Sequence, residues 1–388
     1  MLEYVKDYNG ANPKFQKSST SFKWSSLFFI DQVFGVTARV KDEHGKTLKK
    51  ANSNTYIGNR LSSLTTRITN EITDGSDHKF EKVHSLPSIS ADDFHTEGFI
   101  DWKKNVGMPI VIKGYLNNSP ILNMMTKENL ISHYGKAEIK CVKIDADPGN
   151  KSSVGQNIQT VTTSLENYLS SEEFDNYYIN NFYGILGEDE FLEAARGHEI
   201  NTIMGKKSTV AQWFISRPKE SSGSYLHCAP ADNMFLNITG KKEWHFIDPS
   251  YTPIMLPAMS KFGMFCASEL TESLEGEFFD DLTSRYPFFK HIPIYKTVLE
   301  EGDMLFNPPW WWHRVKNLSP LTIGCANRYV DDEKTFSNSN ALFFGMLAES
   351  IKHPTRSPLN VTIRTALNRK NTSKIIDNIF TNAPKPTK

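Results

Sequence analysis

Cysteine is scarce in this chain: four in 388 residues, Cys141, Cys228, Cys266 and Cys325, with no CxxC pair among them. That spacing argues against a disulfide scaffold or a thiolate zinc ribbon and fits a reducing, cytoplasmic setting. Net charge is absent as well, 44 Lys and Arg standing against 44 Asp and Glu. Wrapping a polyanion takes surplus cations, so bulk nucleic acid is not the expected partner. Long hydrophobic runs are missing too. The most apolar early stretch, SSLFFIDQVFGVTARV, is interrupted by Asp31 and Arg39, is too short to span a bilayer, and reads as core. The N-terminus has no apolar segment of the secretory kind.

Aromatic residues, by contrast, are plentiful: 25 Phe, 14 Tyr and 7 Trp supply material for a substantial core, which excludes disorder throughout. At roughly 150 residues per domain the length allows two or three domains, or one large barrel with additions. Residues 1–83 read as a polar N-terminal extension without a catalytic constellation. From His84 the patterning tightens. A short β-rich run ends at Gly114, a helix starts at the Thr126 cap and stops at Gly135, AEIKCVKID reads as a strand, and SLENYLSSEEF as helical. Then come many short aromatic and β-branched runs separated by Gly, Pro, Asn and Asp, among them STVAQWFISR, YLHCAP, NMFLNIT and KKEWHFIDP. Such punctuation predicts a barrel or sandwich for residues 84–337. Residues 338–388 return to helical patterning and close on a polar tail.

Two histidines stand out by context. His227 ends the run SGSYLHCAP and His313 ends DMLFNPPWWWH. Strand ends in a barrel can meet at one mouth, and paired imidazoles suit Fe, Zn or Cu. Alternation along KKEWHF puts Lys242, Trp244 and Phe246 on one face and Lys241 and His245 on the other. Cys228 follows His227 directly, so it points to the opposite face and reads as packing. Trp310, Trp311 and Trp312 read as alternate indoles sent into the core, and Asp303 as a turn residue.

Segments 221–249 and 301–329 closely resemble the JmjC/cupin-like 2-oxoglutarate oxygenases of the asparaginyl-hydroxylase type. The residues that carry the likeness are Ser224, His227, Asn233, Gly240, Lys242, Gly302, Asp303, Trp311, Trp312, His313 and Asn327. Tyr178 in DNYYINNF and the run DDLTSRYPFF add to it. The resemblance implies a mainly β fold, a double-stranded β-helix (jelly roll) core with flanking α-helices. It implies Fe(II), 2-oxoglutarate and O2 as cofactors, with His227 and His313 as metal ligands. Lys242, Ser224 and Tyr178 would hold the distal carboxylate of 2-oxoglutarate, since buried charge must be paired. Asn327 would contact its metal-proximal end, and Asn180 would face substrate, a small molecule or a peptide. Family members often dimerise through C-terminal helices, which implies a homodimer here through the helical tail.

One position breaks the pattern. The carboxylate ligand of the family lies two residues after the first histidine, and here that residue is Ala229. Methyl cannot coordinate iron. Asp232 is the nearest carboxylate and stands as a weak candidate for metal or substrate. Three readings follow. Chloride fills the vacated site, as the H-x-A and H-x-G signatures of 2-oxoglutarate-dependent radical halogenases imply, and this is the leading reading. Alternatively water fills it and the protein is a hydroxylase, or the fold is a catalytically silent binding module.

Overall fold

A computed structural model describes residues 19–34, 40–41, 47–49, 55–74, 79–143, 160–175, 177–180, 189–205, 210–217, 223–260, 263–268, 270, 277–330 and 332–352. Two large sheets dominate it. The first has seven strands in the order β13 (Pro257–Met259), β14 (Cys266–Ser268), β10 (Gly223–Cys228), β17 (Trp312–Asn317), β12 (Lys242–Ile247), β15 (Tyr295–Leu299) and β3 (His84–Ser85). The second has nine: β4 (Ser88–Ser90), β5 (Ile110–Lys113), β16 (Met304–Asn307), β11 (Ala231–Thr239), β18 (Thr322–Val330), β9 (Val210–Ser216), β8 (Tyr177–Asn180), β6 (Glu138–Lys143) and β7 (Thr160–Ser164). A separate hairpin pairs β1 (Val40–Lys41) with β2 (Thr47–Lys49). Apart from β15 with β3 and β4 with β5, every neighbouring pair among the described residues runs antiparallel. Consecutive strands of the core swap sheets, β10 to β11 to β12 and β16 to β17 to β18, which is the jelly-roll arrangement the resemblance implies, within the barrel or sandwich the punctuation predicts.

The two sheets close on each other through aromatic rings. Phe235 of β11 meets Trp244 of β12 with centroids 5.0 Å apart, and Phe214 of β9 lies 6.4 Å from Phe235. Phe235 needs a glycine opposite. A Cβ on Gly324 would stand 2.3 Å from the Phe235 ring. Turn chemistry matters at Gly240 as well, where φ is +73° and the chain swings from β11 into Lys242. The predicted helix Lys127–Tyr134 is present, with the Thr126 side chain accepting from the Asn129 N–H and Gly135 at its end.

Helices Ser19–Phe34, Tyr56–Asp74 and Asn340–Lys352 pack on the outer side of the first sheet's edge. Trp24 donates its indole N–H to Thr65, which in turn donates to the Pro253 carbonyl. The apolar stretch expected as core is therefore largely helix, burying Trp24 and Phe28, while residues 35–39 lie outside the described set. Helix Asn340–Lys352, expected to pair with a second copy, spends Ala341, Leu342 and Met346 within its own chain, in one cluster with Trp24 and Phe28. Residues 353–388 lie outside the described residues. Among the described residues no helix is long and apolar enough to cross a membrane.

A bulkier residue at position 324 tests this contact between the neighbouring strands β18 and β11. Gly324→Val should destabilise the fold by about 1–3 kcal/mol, through displacement of the Phe235 ring, as read by chemical denaturation.

Candidate active site

The site starts from a register. In the β10–β17 ladder His227 lies directly opposite His313, and a register shift between Ser224 and His227 lets both residues face the same interior. The imidazole centroids are 4.2 Å apart. Each ring is tied back at Nδ1: His227 to the Tyr225 carbonyl at 2.9 Å, His313 to the Trp311 carbonyl at 2.8 Å. A carbonyl only accepts, so Nδ1 carries the proton and Nε2 keeps its lone pair in both rings. The Asn307 amide sits 3.3 Å from the same His313 Nδ1 and must present its oxygen to that N–H. Burial lowers His227 to about 4 and pushes His313 well below its ordinary value, with the neighbouring ring and Arg328 adding to the effect on His313. Both imidazoles are therefore neutral at physiological pH. Neutral rings with Nε2 lone pairs and a donated Nδ1–H are what metal ligation asks of histidine.

His313 owes its place to a strained turn. Trp310, after Pro308 and Pro309, has φ +65°, a conformation that costs a bulky side chain about 1–3 kcal/mol. Its backbone N–H donates to the Ala229 carbonyl at 2.8 Å and its indole to the Thr335 carbonyl at 2.8 Å. The strand carrying His227 and the turn before His313 are thereby stitched together. All three indoles are buried, Trp311 in one apolar cluster and Trp310 and Trp312 in the other. Cys228 faces away from His227, opposite Cys266 in the second cluster. Asp303 holds the turn before β16, accepting from Lys113, the Gly114 N–H and the Glu300 N–H.

Ala229 contributes its carbonyl to that stitch, and its methyl is no ligand. Among the described residues no three His, Cys, Asp or Glu side chains converge as a metal site. Asp232 does not repair this. It lies on the β11 face opposite to Asn233 and Phe235, fully buried, and pairs with Lys103 at 2.5 Å. Period-two alternation from Phe235 dictates that outcome, so Asp232 is removed from the candidate ligands.

The far end of the interior is a cation with neutral partners. Lys242 is 4% exposed, and its ammonium donates to Asn317 Oδ1 at 2.5 Å and Thr322 Oγ1 at 2.9 Å. Burial brings its pKa down to about 7. Lys241, on the other face, is exposed and paired with Glu300 at 2.8 Å. Ser224 Oγ accepts from the Val315 N–H at 3.2 Å, which leaves its proton to donate. Tyr178 pairs across β9 with Ser216, which pairs in turn with Thr322, and burial raises its hydroxyl pKa. Asn180 pairs with Phe214, and its side chain lies outside the described residues.

Asn327 does not join this group. Thr322 reaches Lys242 and Gly324 carries the Phe235 ring, so alternation turns Ala326 and Arg328 inward. Asn327 faces outward, its amide donating to the Met234 carbonyl at 3.4 Å. Arg328 instead shares an interior row with Asn233 and Asn307. Counting by twos from Thr322 exposes this arginine in the sequence; counting residues from His313 along a motif points one position short.

Residues 98–335 match the family described as a cupin-like domain. A bovine (Bos taurus) HSPB1-associated protein 1 is 25% identical over 135 residues, 34% of this chain and 27% of the relative. The JmjC domain-containing protein C of Dictyostelium discoideum is 30% identical over 108 residues, 28% of this chain and 25% of the relative. Jumonji C domain-containing protein 5 of Drosophila melanogaster is 29% identical over 97 residues, 25% of this chain and 22% of the relative. The matched stretches span about a quarter of each relative's length.

Lys242 makes the site costly to fold. Its folded pKa of about 7 lies below the ordinary 10.5, so the penalty is complete below pH 7 and fades between pH 7 and 10.5. Lys242→Met should raise stability by about 1–4 kcal/mol at pH 6, and by less at pH 9, in denaturant titrations.

Proposed function

The chain belongs to the cupin-like domain family, and from that premise we propose an Fe(II)- and 2-oxoglutarate-dependent oxidoreductase that functionalises an unactivated C–H bond. One observation carries the reading. A buried lysine with only neutral partners among the described residues shares an interior with two neutral, back-bonded histidines. A cation there is an unrepaid desolvation cost unless an anion comes to it, and a dicarboxylate does. The residues present fit both groups. His227 and His313 would hold the metal through Nε2. Lys242 would hold the distal carboxylate of 2-oxoglutarate, with the hydroxyls of Ser224 and Tyr178 donating to it. Iron held there would supply O2 activation coupled to decarboxylation of 2-oxoglutarate, giving succinate, CO2 and the oxidising power to break a C–H bond.

The protein's own groups set the environment for that chemistry. Trp244 lies against His313 with centroids 5.5 Å apart and meets Phe235 at 5.0 Å, so apolar rings adjoin the histidines. The Nδ1 bonds to Tyr225 and Trp311 keep the imidazoles from turning. With a methyl at Ala229, a metal held by the two histidines would have room for an external ligand there. The field there is positive: Arg328 faces the histidines, and no acidic ligand converges on them among the described residues. A positive field next to an open position favours an anion, which supports chloride as the occupant and halogenation as the outcome. Water in that position would give a hydroxylase. The substrate is a small molecule or a peptide side chain.

The anaerobic absorption of the Fe(II)–2-oxoglutarate complex tests this with chloride, with bromide and without halide. A charge-transfer band that moves with the halide is expected. A band indifferent to halide leaves hydroxylation, and no band at all leaves a binding module. Ala229→Asp should abolish halogenation in favour of hydroxylation, as product mass reports. His313→Ala should lose about a hundredfold or more in metal affinity, measured by metal titration.

A further inference from the structure

The interior holds a second cation that the proposed chemistry has not yet used in binding. Arg328 stands six positions beyond Thr322 along β18, which at ~3.3 Å per residue puts its backbone about 20 Å from the Lys242 end. Two cations so separated do not serve one carboxylate. The arginine side chain does not project straight across the barrel. Its guanidinium carbon lies 6.0 Å from the centroid of Phe214, and Phe214 pairs with Gly324, four residues earlier on β18. The charge therefore leans back along β18 toward the Lys242 end, over Phe214, which stacks in turn with Tyr178 at 6.2 Å and 22°.

The row that Arg328 shares points the same way. Asn233 lies opposite it on β11, and Asn307 lies opposite Asn233 on β16, beside His313. Asn233 Oδ1 is buried with no hydrogen-bond partner, an acceptor for a water, and the Asn307 amide, with its oxygen toward His313, keeps its NH2 end to donate. Such groups persist in a folded protein where a ligand or water completes them. The guanidinium and the Asn307 NH2 in one row suit a planar carboxylate, which accepts from several donors at once.

We propose that Arg328 holds the metal-proximal carboxylate of the 2-oxo acid, in the role that motif counting assigns to Asn327. The proposal rests on the 2-oxoglutarate reading above. It makes the pocket a two-cation clamp, Lys242 for the distal end and Arg328 for the proximal end. The clamp compensates for a metal site that lacks its protein carboxylate, because the cosubstrate is then anchored at both ends by the protein rather than by the metal alone.

Isothermal calorimetry on the Mn(II)-loaded protein separates the two ends, using 2-oxoglutarate and 2-oxopentanoate, which keeps the 2-oxo acid and lacks the distal carboxylate. Arg328→Gln should weaken both acids by a similar factor, about ten- to hundredfold. Lys242→Met should weaken 2-oxoglutarate and leave 2-oxopentanoate unchanged. Arg328→Lys, which keeps the charge and loses the planar fork, should recover part of the affinity. A merely structural arginine would show no such recovery, and the melting temperatures of all three variants report on folding separately. Unchanged affinity for both acids in Arg328→Gln, with Lys242→Met still discriminating between them, overturns the arginine's role alone. If the unmodified protein binds neither acid, the reading of the preceding subsection falls and this one with it.

Discussion

The antiparallel register of β10 against β17, with His227 opposite His313, decides which side chains share the barrel interior. A slip of one residue would send both imidazoles to the outer face, because side chains alternate strictly along a strand. Three devices hold that register. The irregularity between Ser224 and His227 returns both to one face, the left-handed Trp310 ties the turn before β17 to the Ala229 carbonyl, and the Nδ1 bonds lock each ring. The strained tryptophan is stabilised by burial of its indole and the bond to Thr335, so the surrounding packing offsets the backbone cost.

From that register the interior acquires a polarity. One end holds two neutral imidazoles and a row of amides with Arg328, and the other holds Lys242 between Asn317 and Thr322. Aromatic rings of both sheets line the space between. The arrangement costs stability at the cation, where burial drags the lysine toward neutrality, and it costs satisfied hydrogen bonds at the amides. Local costs that survive in a well-packed core are the signature of a site shaped for something else to enter. The one acid on the neighbouring strand, Asp232, is turned outward and committed to Lys103, so the site's charge is positive throughout.

Helices Ser19–Phe34, Tyr56–Asp74 and Asn340–Lys352 join opposite ends of the chain into one layer beside the barrel. Their buried side chains share one apolar cluster. Gly345 marks how close that packing is, since a Cβ there would meet Met259 at 2.8 Å and Phe28 at 3.3 Å.

Much of this was legible in the residues alone. Turn punctuation between short aromatic runs announced the barrel, the Thr126 cap and Gly135 bounded a helix, and alternation along KKEWHF separated buried Lys242 from exposed Lys241. Those features are local: a cap, a turn or a pleat is set by residues within a few positions, so the chain carries them wherever it folds. What the three-dimensional fold decided was which faces meet. Asn327 and Arg328 are neighbours in the chain, and either could have faced the histidines; the pairing of β18 with β11, which sets Gly324 beside the Phe235 ring, turned the arginine inward and the asparagine out. Asp232 likewise left the site because its strand face packs against helix Thr96–Asn105, which brings Lys103 to it. Which face of a strand meets the interior is set by contacts between residues far apart in sequence; alternation carries that choice along the strand and does not make it.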